Sequence, residues 1–255
     1  MQVSITALQG IPEIHQGGDI VSEIIKALEF HNIVAEEQDI FVIAQKIVSK
    51  AEGRVLNLDE IVPSEEAKRI ASELRKDPRK LEAILSETDE ILRIRPPLQE
   101  GREGVIIVRH KLGFVCANAA VDESNTEQDG QLILLPVDPD ASARRLRAEL
   151  ETHYEKQLGI VISDTFGRPW RIGQVNVAIG LAGVPAVLDL ASTNDAMGRE
   201  LSVTMPAISD ELAAAAGLVM GKSTSTPVIH IRGVNWAESN NSIKHLIREQ
   251  SENLF

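Results

Sequence analysis

The sequence predicts an α+β protein with mixed β-sheets, with a doubly wound α/β fold as the competing architecture. Three observations carry the prediction. Short apolar runs bounded by turn residues recur along the whole chain and read as strands. Helical patterns with identifiable caps separate some of these runs but not others, so the strict alternation of a doubly wound sheet is missing. A hydrophobic fraction of 43% against 25% charged residues is enough for one proper core in a chain of 255 residues. The expectation is a single domain over 1–255, with room for two interleaved subdomains.

The elements follow in order. "VSITAL" alternates and reads as a strand, and "QGIPEIHQGGD" is a loop. Asp19 caps a helix to about Phe30, with Ile20, Ile24 and Leu28 four apart on one face. "DIFVIAQKIVSKAEG" reads as an apolar strand ending in polar residues. Helices are expected from Ser64, as N-cap, to Arg75 and from Pro78 to Leu92. "EGVIIVRHKLGFVCANAAVD" reads as a two-stranded hairpin and "ESNTEQDGQ" as an acidic loop. "LILLPV" is a short strand, and "DPDASARRLRAELETHY" a capped helix. "LGIVISD" is a strand whose end delivers Ser163, Asp164 and Thr165; "TFGRPWRIG" follows as a loop, then the apolar run "QVNVAIGLAGVPAVLDL". "ISDELAAAAGLVM" is helical, with Ser209 or Asp210 near its start. "TPVIHIRGV" is a closing strand, and a terminal helix begins near Ser242.

Composition narrows the partners. A formal net charge of -12 repels nucleic-acid backbones and anionic membranes, so neither is expected, although a local site can still oppose that field for a phosphate. The single cysteine, Cys116, permits no internal disulfide and suits a reducing cytoplasm, where the protein is expected. No signal peptide and no membrane-spanning run is read. Aromatic residues make up 3%, which argues against a stacking platform for single-stranded nucleic acid. The six histidines lack metal-ligand spacing, so zinc is not expected. His110 suits a structural place at a strand edge, and Trp170 and Trp236 suit core or interface packing.

Three segments can carry chemistry. In "VISDTFGRPWRIGQ", Asp164 and the Thr165 hydroxyl suit a hard divalent cation, and Arg168 and Arg171 suit a carboxylate or phosphate. The same residues also suit a turn capped by Asp164 with two solvated arginines. In "CANAAVDESN", Asp122 and Asn125 follow a strand and small residues; they suit a metal and a base or phosphate, or a plain Asx-turn. "QKIVSKAEG" ends its strand with Ser49 and Lys50, the lysine being a point charge suited to phosphate or simply solvated. Asp122 and Asp164 each end an apolar strand and could converge on Mg²⁺ or Mn²⁺. Near the C-terminus, "AGLVMGKSTSTP" carries Gly221-Lys222-Ser223 but follows a helix and precedes a strand, the reverse of a P-loop.

Together, "GIPEI", "IVSKAEGR", "FVCANAAVDESN", "LPVDPDASARRLR", "ISDTFGRPWRIGQVNVAIG", "GRELSVT" and "LVMGK…TPVIHIRG" resemble the coenzyme F420:L-glutamate ligases, in that order and over nearly the whole chain. The resemblance implies a GTP-dependent ligase that phosphorylates the terminal carboxylate of the deazaflavin precursor F420-0. The amine of L-glutamate then displaces phosphate, and further γ-linked glutamates extend the product. It implies Mg²⁺ or Mn²⁺, an assisting K⁺, and an intertwined homodimer. By matching motif, Ile11, Pro12, Glu13, Ile14, Gln45, Lys46, Lys50 and Asn125 would contact GTP. The loop Met220, Gly221, Lys222, Ser223, Thr224, Ser225 and Thr226 would wrap the nucleotide. Asp122, Asp164 and Thr165 would bind metal, and Arg168 and Arg171 would join the two aspartates in neutralising charge during catalysis. Archaeal relatives resemble "MGEG" where this chain has Lys222; protonated lysine cannot ligate a cation, which leaves a second metal position open and offers Lys222 as a charge on phosphate. Relatives with a C-terminal flavin reductase domain extend beyond the position of Phe255. The rival readings are an amide ligase for another small acid and a non-catalytic GTP- or metal-binding regulator.

Overall fold

The structure is a computed structural model that describes residues 2–191, 193–221 and 224–252. Its strands are β1 (Ser4–Ala7), β2 (Ile40–Ala44), β3 (Val55–Asn57), β4 (Thr88–Arg95), β5 (Val105–His110), β6 (Val115–Ala117), β7 (Gln131–Ile133), β8 (Gly159–Arg168), β9 (Arg171–Ala182) and β10 (Val228–Arg232). Its helices are α1 (Ile20–Phe30), α2 (Gln45–Ala51), α3 (Glu65–Leu74), α4 (Pro78–Ser86), α5 (Pro139–Tyr154) and α6 (Ile208–Met220). The main sheet runs β1-β10-β2-β8-β9, with two smaller sheets, β3-β7 and β4-β5-β6. Among the described residues only β2 and β8 pair in parallel; the other strand pairs are antiparallel. The fold is therefore α+β with mixed sheets, and the doubly wound alternative fails because its sheet would be largely parallel.

The central strand β2, "IFVIA", is apolar throughout because both of its faces are covered. Around it lies the larger core, which takes in α1, α5, α6 and Trp236. Helices α5 and α6 both pack on β9. Gly180 lets α5 come close: a β-carbon there would sit 2.6 Å from the Pro139 carbonyl oxygen. A second core lies between Leu56 and Leu134, built from α3, α4, β5 and the turn through Ala119 and Val121. The chain thus leaves the main sheet after α2, completes this second core, and returns through α5.

The side chains of Asp19, Ser64, Asp77 and Asp138 each accept from a backbone N–H in the first turn of the helix that follows, as capping chemistry requires. Several sequence expectations are corrected. The strand at "DIFVIAQKIVSKAEG" stops at Ala44 and turns directly into α2, so Ser49 and Lys50 sit on a helix and not at a strand end. The helix from Pro78 ends at Ser86; Ile91 and Ile94, three apart, lie instead on β4, where register shifts between Thr88 and Glu90 and between Ile91 and Arg93 break the two-residue period. "TFGRPWRIG" is not a loop, because β8 and β9 continue through it as one hairpin and pair as far as Arg168 and Arg171. Ser209 and Asp210 do stand in the first turn of α6, as expected; Ala207 is at the N-cap, Ser209 Oγ donates to the Ala186 carbonyl at 3.1 Å, and Asp210 accepts from the Ala178 N–H at 2.9 Å. The terminal helix is only a 3₁₀ turn, Ile243–Leu246, capped by Ser242. Trp236 is buried at 5% exposure, whereas Trp170, at the hairpin tip, is 86% exposed and is not a core residue. His110 is buried and accepts at Nδ1 from the Leu112 N–H at 2.9 Å, a structural role. No helix among the described residues is long and apolar enough to cross a membrane.

Candidate functional site

The parallel pair β2–β8 is the natural place for a ligand, since strands of one direction end together and release their following segments on the same side. At that end lies a groove of about 720 Å³, within the usual size for a small-molecule site. Five separate stretches line it: Ile11–Ile14 from the first loop, Ala44 to Ile47 with Lys50 from the end of β2 and α2, Asn125, Ser163–Thr165 with Asn176 from the β8–β9 hairpin, and Gly217, Met220, Gly221, Ser225, Thr226 and Pro227 around the end of α6.

Helix α2 supplies the cations. Lys46 and Lys50 are four residues apart and so share a face. The Lys46 ammonium pairs with the Asp122 carboxylate at 2.9 Å and donates to the Ser124 carbonyl at 3.1 Å and hydroxyl at 2.5 Å. Lys50 is buried; it donates to the Glu13 carboxylate and, at 2.6 Å, to the Asn125 carbonyl. Burial pushes the Asp122 carboxyl up, but hydrogen bonds from Lys46 and from the Ser124 N–H outweigh it and hold the group below the usual carboxylate range. The Asp122 backbone is fixed as well, by paired hydrogen bonds to Ile133 of 3.0 and 2.8 Å. Just before it, Asn118, Ala119 and Ala120 all adopt left-handed backbone angles, with φ of 53°, 50° and 55°. Such a run is costly for side-chain-bearing residues and is held here by the packing around Ala119.

Two polar side chains in the groove wall are incompletely satisfied. Gln45 is buried; its Oε1 accepts from Ser49 at 2.7 Å, while its Nε2 has no partner. Ser163 is buried with an unpartnered hydroxyl. Buried polar atoms are rarely left so unless a ligand or water completes them. At the far wall, Thr165 donates to Asn176 Oδ1 at 3.1 Å, and Gly217 keeps α6 close enough that a β-carbon there would meet the Asn176 amide carbon at 3.1 Å. Thr224 and Thr226 both donate to the Met220 carbonyl, at 2.6 and 2.8 Å, which ties these two residues to the C-terminal end of α6. Burial pushes the Cys116 thiol up to about 12, and the charge on Asp164 adds to the effect, so this thiol is inert at neutral pH.

Of the residues expected from the sequence, Ile11, Pro12, Glu13, Ile14, Gln45, Lys46, Lys50, Asn125, Asp164, Thr165, Met220, Gly221, Ser225 and Thr226 line one groove. Asp122 stands one step behind it, joined through Lys46. Thr224 braces the α6 turn and does not line the groove. Arg168 and Arg171 do not line it either: they face each other across the exposed tip of the hairpin, because β8 runs four residues beyond Asp164. Asp164 and Thr165 are accordingly mid-strand and not at a strand end. Lys222 and Ser223 lie outside the described residues. Ser163, Asn176 and Gly217 also line the groove. Asn176 was marked only by its polarity within "QVNVAIG", and its partner Thr165 becomes visible once the hairpin register pairs the two.

Metal fit can be judged from the donors. Among the described residues there is no cluster of three or more His, Cys, Asp or Glu that would form an all-protein cage. Mg²⁺ does not need one, since it binds through one or two carboxylates and keeps waters or ligand phosphates. Asp164 and the Thr165 hydroxyl in the groove wall, and Asp122 one step behind it, are oxygen donors of that kind, so the donor chemistry suits such an ion.

The fold and groove define an α+β protein with a cleft whose wall sets Lys46, Lys50, Glu13 and Asp164 among apolar side chains. The F420-0:Gamma-glutamyl ligase family model matches residues 10–233. The chain is 43% identical over 259 residues to the coenzyme F420:L-glutamate ligase of Methanothermobacter thermautotrophicus, covering 100% of this chain and 99% of that protein. It is 38% identical to the ligase of that name from Archaeoglobus fulgidus, covering 100% and 97%, and 42% identical to that of Methanocaldococcus jannaschii, covering 86% and 85%. The chain belongs to the F420-0:gamma-glutamyl ligase family.

Proposed function

We propose that the protein joins L-glutamate to the terminal carboxylate of F420-0 at the expense of GTP, and extends the product with γ-linked glutamates. The observation that carries the nucleotide in this reading is the groove itself. Its wall combines two lysines, the first turn of α2 with no side-chain cap at Ala44, and the unsatisfied Gln45 amide and Ser163 hydroxyl. A carboxylate is a poor electrophile. Its oxygen attacks the γ-phosphorus of GTP, GDP departs, and an acyl phosphate remains. The glutamate nitrogen then attacks the acyl carbon, inorganic phosphate leaves, and the nitrogen gives up a proton. Both steps need positioning and charge neutralisation more than covalent help. Lys46 and Lys50 supply positive charge, Gln45 and the Ser163 hydroxyl orient the ligand, and the residues from Met220 to Thr226 would wrap it. Asp122, Asp164 and Thr165 would hold Mg²⁺ or Mn²⁺, which when bound neutralises phosphate charge. K⁺ is taken as an activator, tested by exchange for Na⁺.

The test is a reaction of purified protein with GTP, Mg²⁺, L-glutamate and F420-0, followed by mass spectrometry and nucleotide analysis. The expected result is a glutamyl adduct with one GDP and one phosphate per bond. GTP binding without any adduct would favour a regulator; adducts with other acids but not F420-0 would favour a different amide ligase. We also propose a homodimer that buries more than about 2,000 Å² in total. The projecting hairpin tip, with Trp170 and Ile172 at 86% and 103% exposure, supports that reading. A stable, active monomer in sedimentation at nanomolar concentration would overturn it.

A further inference from the structure

A second cavity, of about 320 Å³, adjoins the groove and shares Lys50 with it. The same two chain segments build both. Ile11–Ile14 face the groove while His15 and Gln16 face the second cavity; Asn125 faces the groove while Thr126 and Glu127 face the second cavity. The two spaces therefore meet across one lysine side chain.

The lining is polar and carries both signs of charge. The Glu127 carboxylate sits at 2.6 Å from His15 Nδ1 at the rim. Gln131 Oε1 accepts from the N–H groups of Glu127 and Gln128, both at 3.1 Å, which fixes the amide's orientation. Gln16 packs over Gly53, whose missing β-carbon would otherwise lie 2.7 Å from Gln16 Nε2. Val55 and Ile133 add an apolar wall. The cavity has one carboxylate, too few for a divalent cation cage, and no Phe, Tyr or Trp in its lining; the one ring there, His15, is engaged with Glu127 at the rim.

We propose that this cavity is the subsite for the incoming amino acid, a small dicarboxylate bearing a primary amine. The match is chemical. Glu127 suits an ammonium, Lys50 with the Gln16 and Gln131 amides suits carboxylates, and Val55 with Ile133 suits a short methylene chain. The placement matches too, since an amine held here lies one lysine away from whatever carboxyl group is activated in the groove. The inference rests on the ligase reading above.

The test varies L-glutamate at saturating GTP and F420-0, and then varies GTP, for wild type, Glu127→Gln and Gln131→Leu. Glu127 lies on an exposed loop, so the fold is expected to survive, and thermal melting checks it. The expected result is a rise of about tenfold or more in KM for L-glutamate, the size of one lost charge-assisted bond, with the GTP KM within about twofold of wild type. An unchanged glutamate KM overturns the proposal. A rise in GTP KM instead would give the cavity to the nucleotide and equally overturn it. If wild type makes no amide product, the ligase reading fails by itself. Calorimetric titration of L-glutamate, with the groove filled by a non-hydrolysable GTP analogue, then decides the subsite independently. Heat in wild type that is lost in Glu127→Gln supports it; no heat at millimolar L-glutamate overturns it. Where Gln131→Leu melts early, Thr126→Val replaces it in both assays with the same expectations.

Discussion

Replacing Lys46 by Met tests the cationic wall most directly. The substitution keeps an unbranched chain of similar length and removes the charge. Its ammonium lies 2.9 Å from the Asp122 carboxylate, and the pair is only partly exposed, at 17% and 32%. At an effective dielectric of about 20 the bare attraction is about 6 kcal/mol, most of which is offset by the desolvation of both groups. A net of about 1.5–3 kcal/mol, typical of one charged hydrogen bond, is the expected loss in unfolding free energy by urea titration. The two bonds to Ser124 go with it, so the loop from Asp122 to Asn125 should gain faster amide exchange while α1 does not. Asp122 is held below the usual carboxylate range in the native state. The stabilisation from this depression is present above that range and is lost as the pH falls through it, and Lys46→Met should flatten that loss. Nucleotide affinity should fall at least about tenfold, by the same charge-assisted bond. Unchanged stability, loop exchange and nucleotide affinity together would refute the account of this wall.

Asp164→Asn should cut turnover by about 100-fold or more at saturating Mg²⁺, because a charge beside the phosphates is lost; near-normal turnover would remove Asp164 from the site. Asp39, at the head of β2, bridges to His230 and Arg232 of β10. Burial raises its carboxyl, but the bonds from Arg232 and His230 prevail and bring it down to about 2. Wild type should therefore lose about 2–3 kcal/mol as the pH falls from about 5 through about 2, and Asp39→Asn should lack that acid-labile part in urea titrations. Lys222→Ala should weaken GTP binding by about 1–3 kcal/mol, and less so at high salt, in calorimetric titration; wild-type affinity at every salt concentration would make Lys222 an ordinary surface lysine.

Much of the molecule was legible because local chemistry decided it. The caps at Asp19, Ser64 and Asp138 depend on a side chain and an amide a few residues away, so the text alone locates them. The apolar runs at β2 and β10 are buried strands because nothing else accommodates such residues. The motifs carrying the family resemblance supply most of the groove wall. What failed depended on partners distant in sequence. Nothing near Ala44 announces that its strand becomes a helix, since "QKIVSKA" serves either. The reach of the β8–β9 hairpin is set by pairing across the whole run to Arg171, and that reach carries Arg168 and Arg171 away from the groove. The pairing of Lys46 with Asp122 spans 76 positions and is created by the helix that the sequence concealed.

The lysine clasp also bears on how a chain of net charge -12 can hold an anion. Charges farther off than about 8 Å are largely screened at physiological salt, so most of that excess is weakly felt in the groove. Lys46 and Lys50, at 17% and 6% side-chain exposure, are screened far less. In the free protein, however, both are already engaged, by Asp122 and by Glu13. The same loop is held a third time, by Lys80 of α4, which pairs with Glu123 at 2.6 Å. An anion arriving alone must take Lys46 from Asp122 and leave without a cation a carboxylate that accepts from the Ser124 N–H and stands on a backbone pinned to Ile133. That penalty is of the order of 3–5 kcal/mol for a buried ion pair broken from one side, and smaller here because the pair is partly exposed. An anion arriving with a divalent cation leaves every carboxylate a partner. Nucleotide affinity should therefore rise at least about tenfold between a chelator and saturating Mg²⁺. Asp122→Asn should bind the nucleotide better than wild type in chelator while losing the Mg²⁺ response. Equal affinity of wild type with and without Mg²⁺ would mean that Asp122 yields Lys46 at no cost, and the clasp would then have no part in binding.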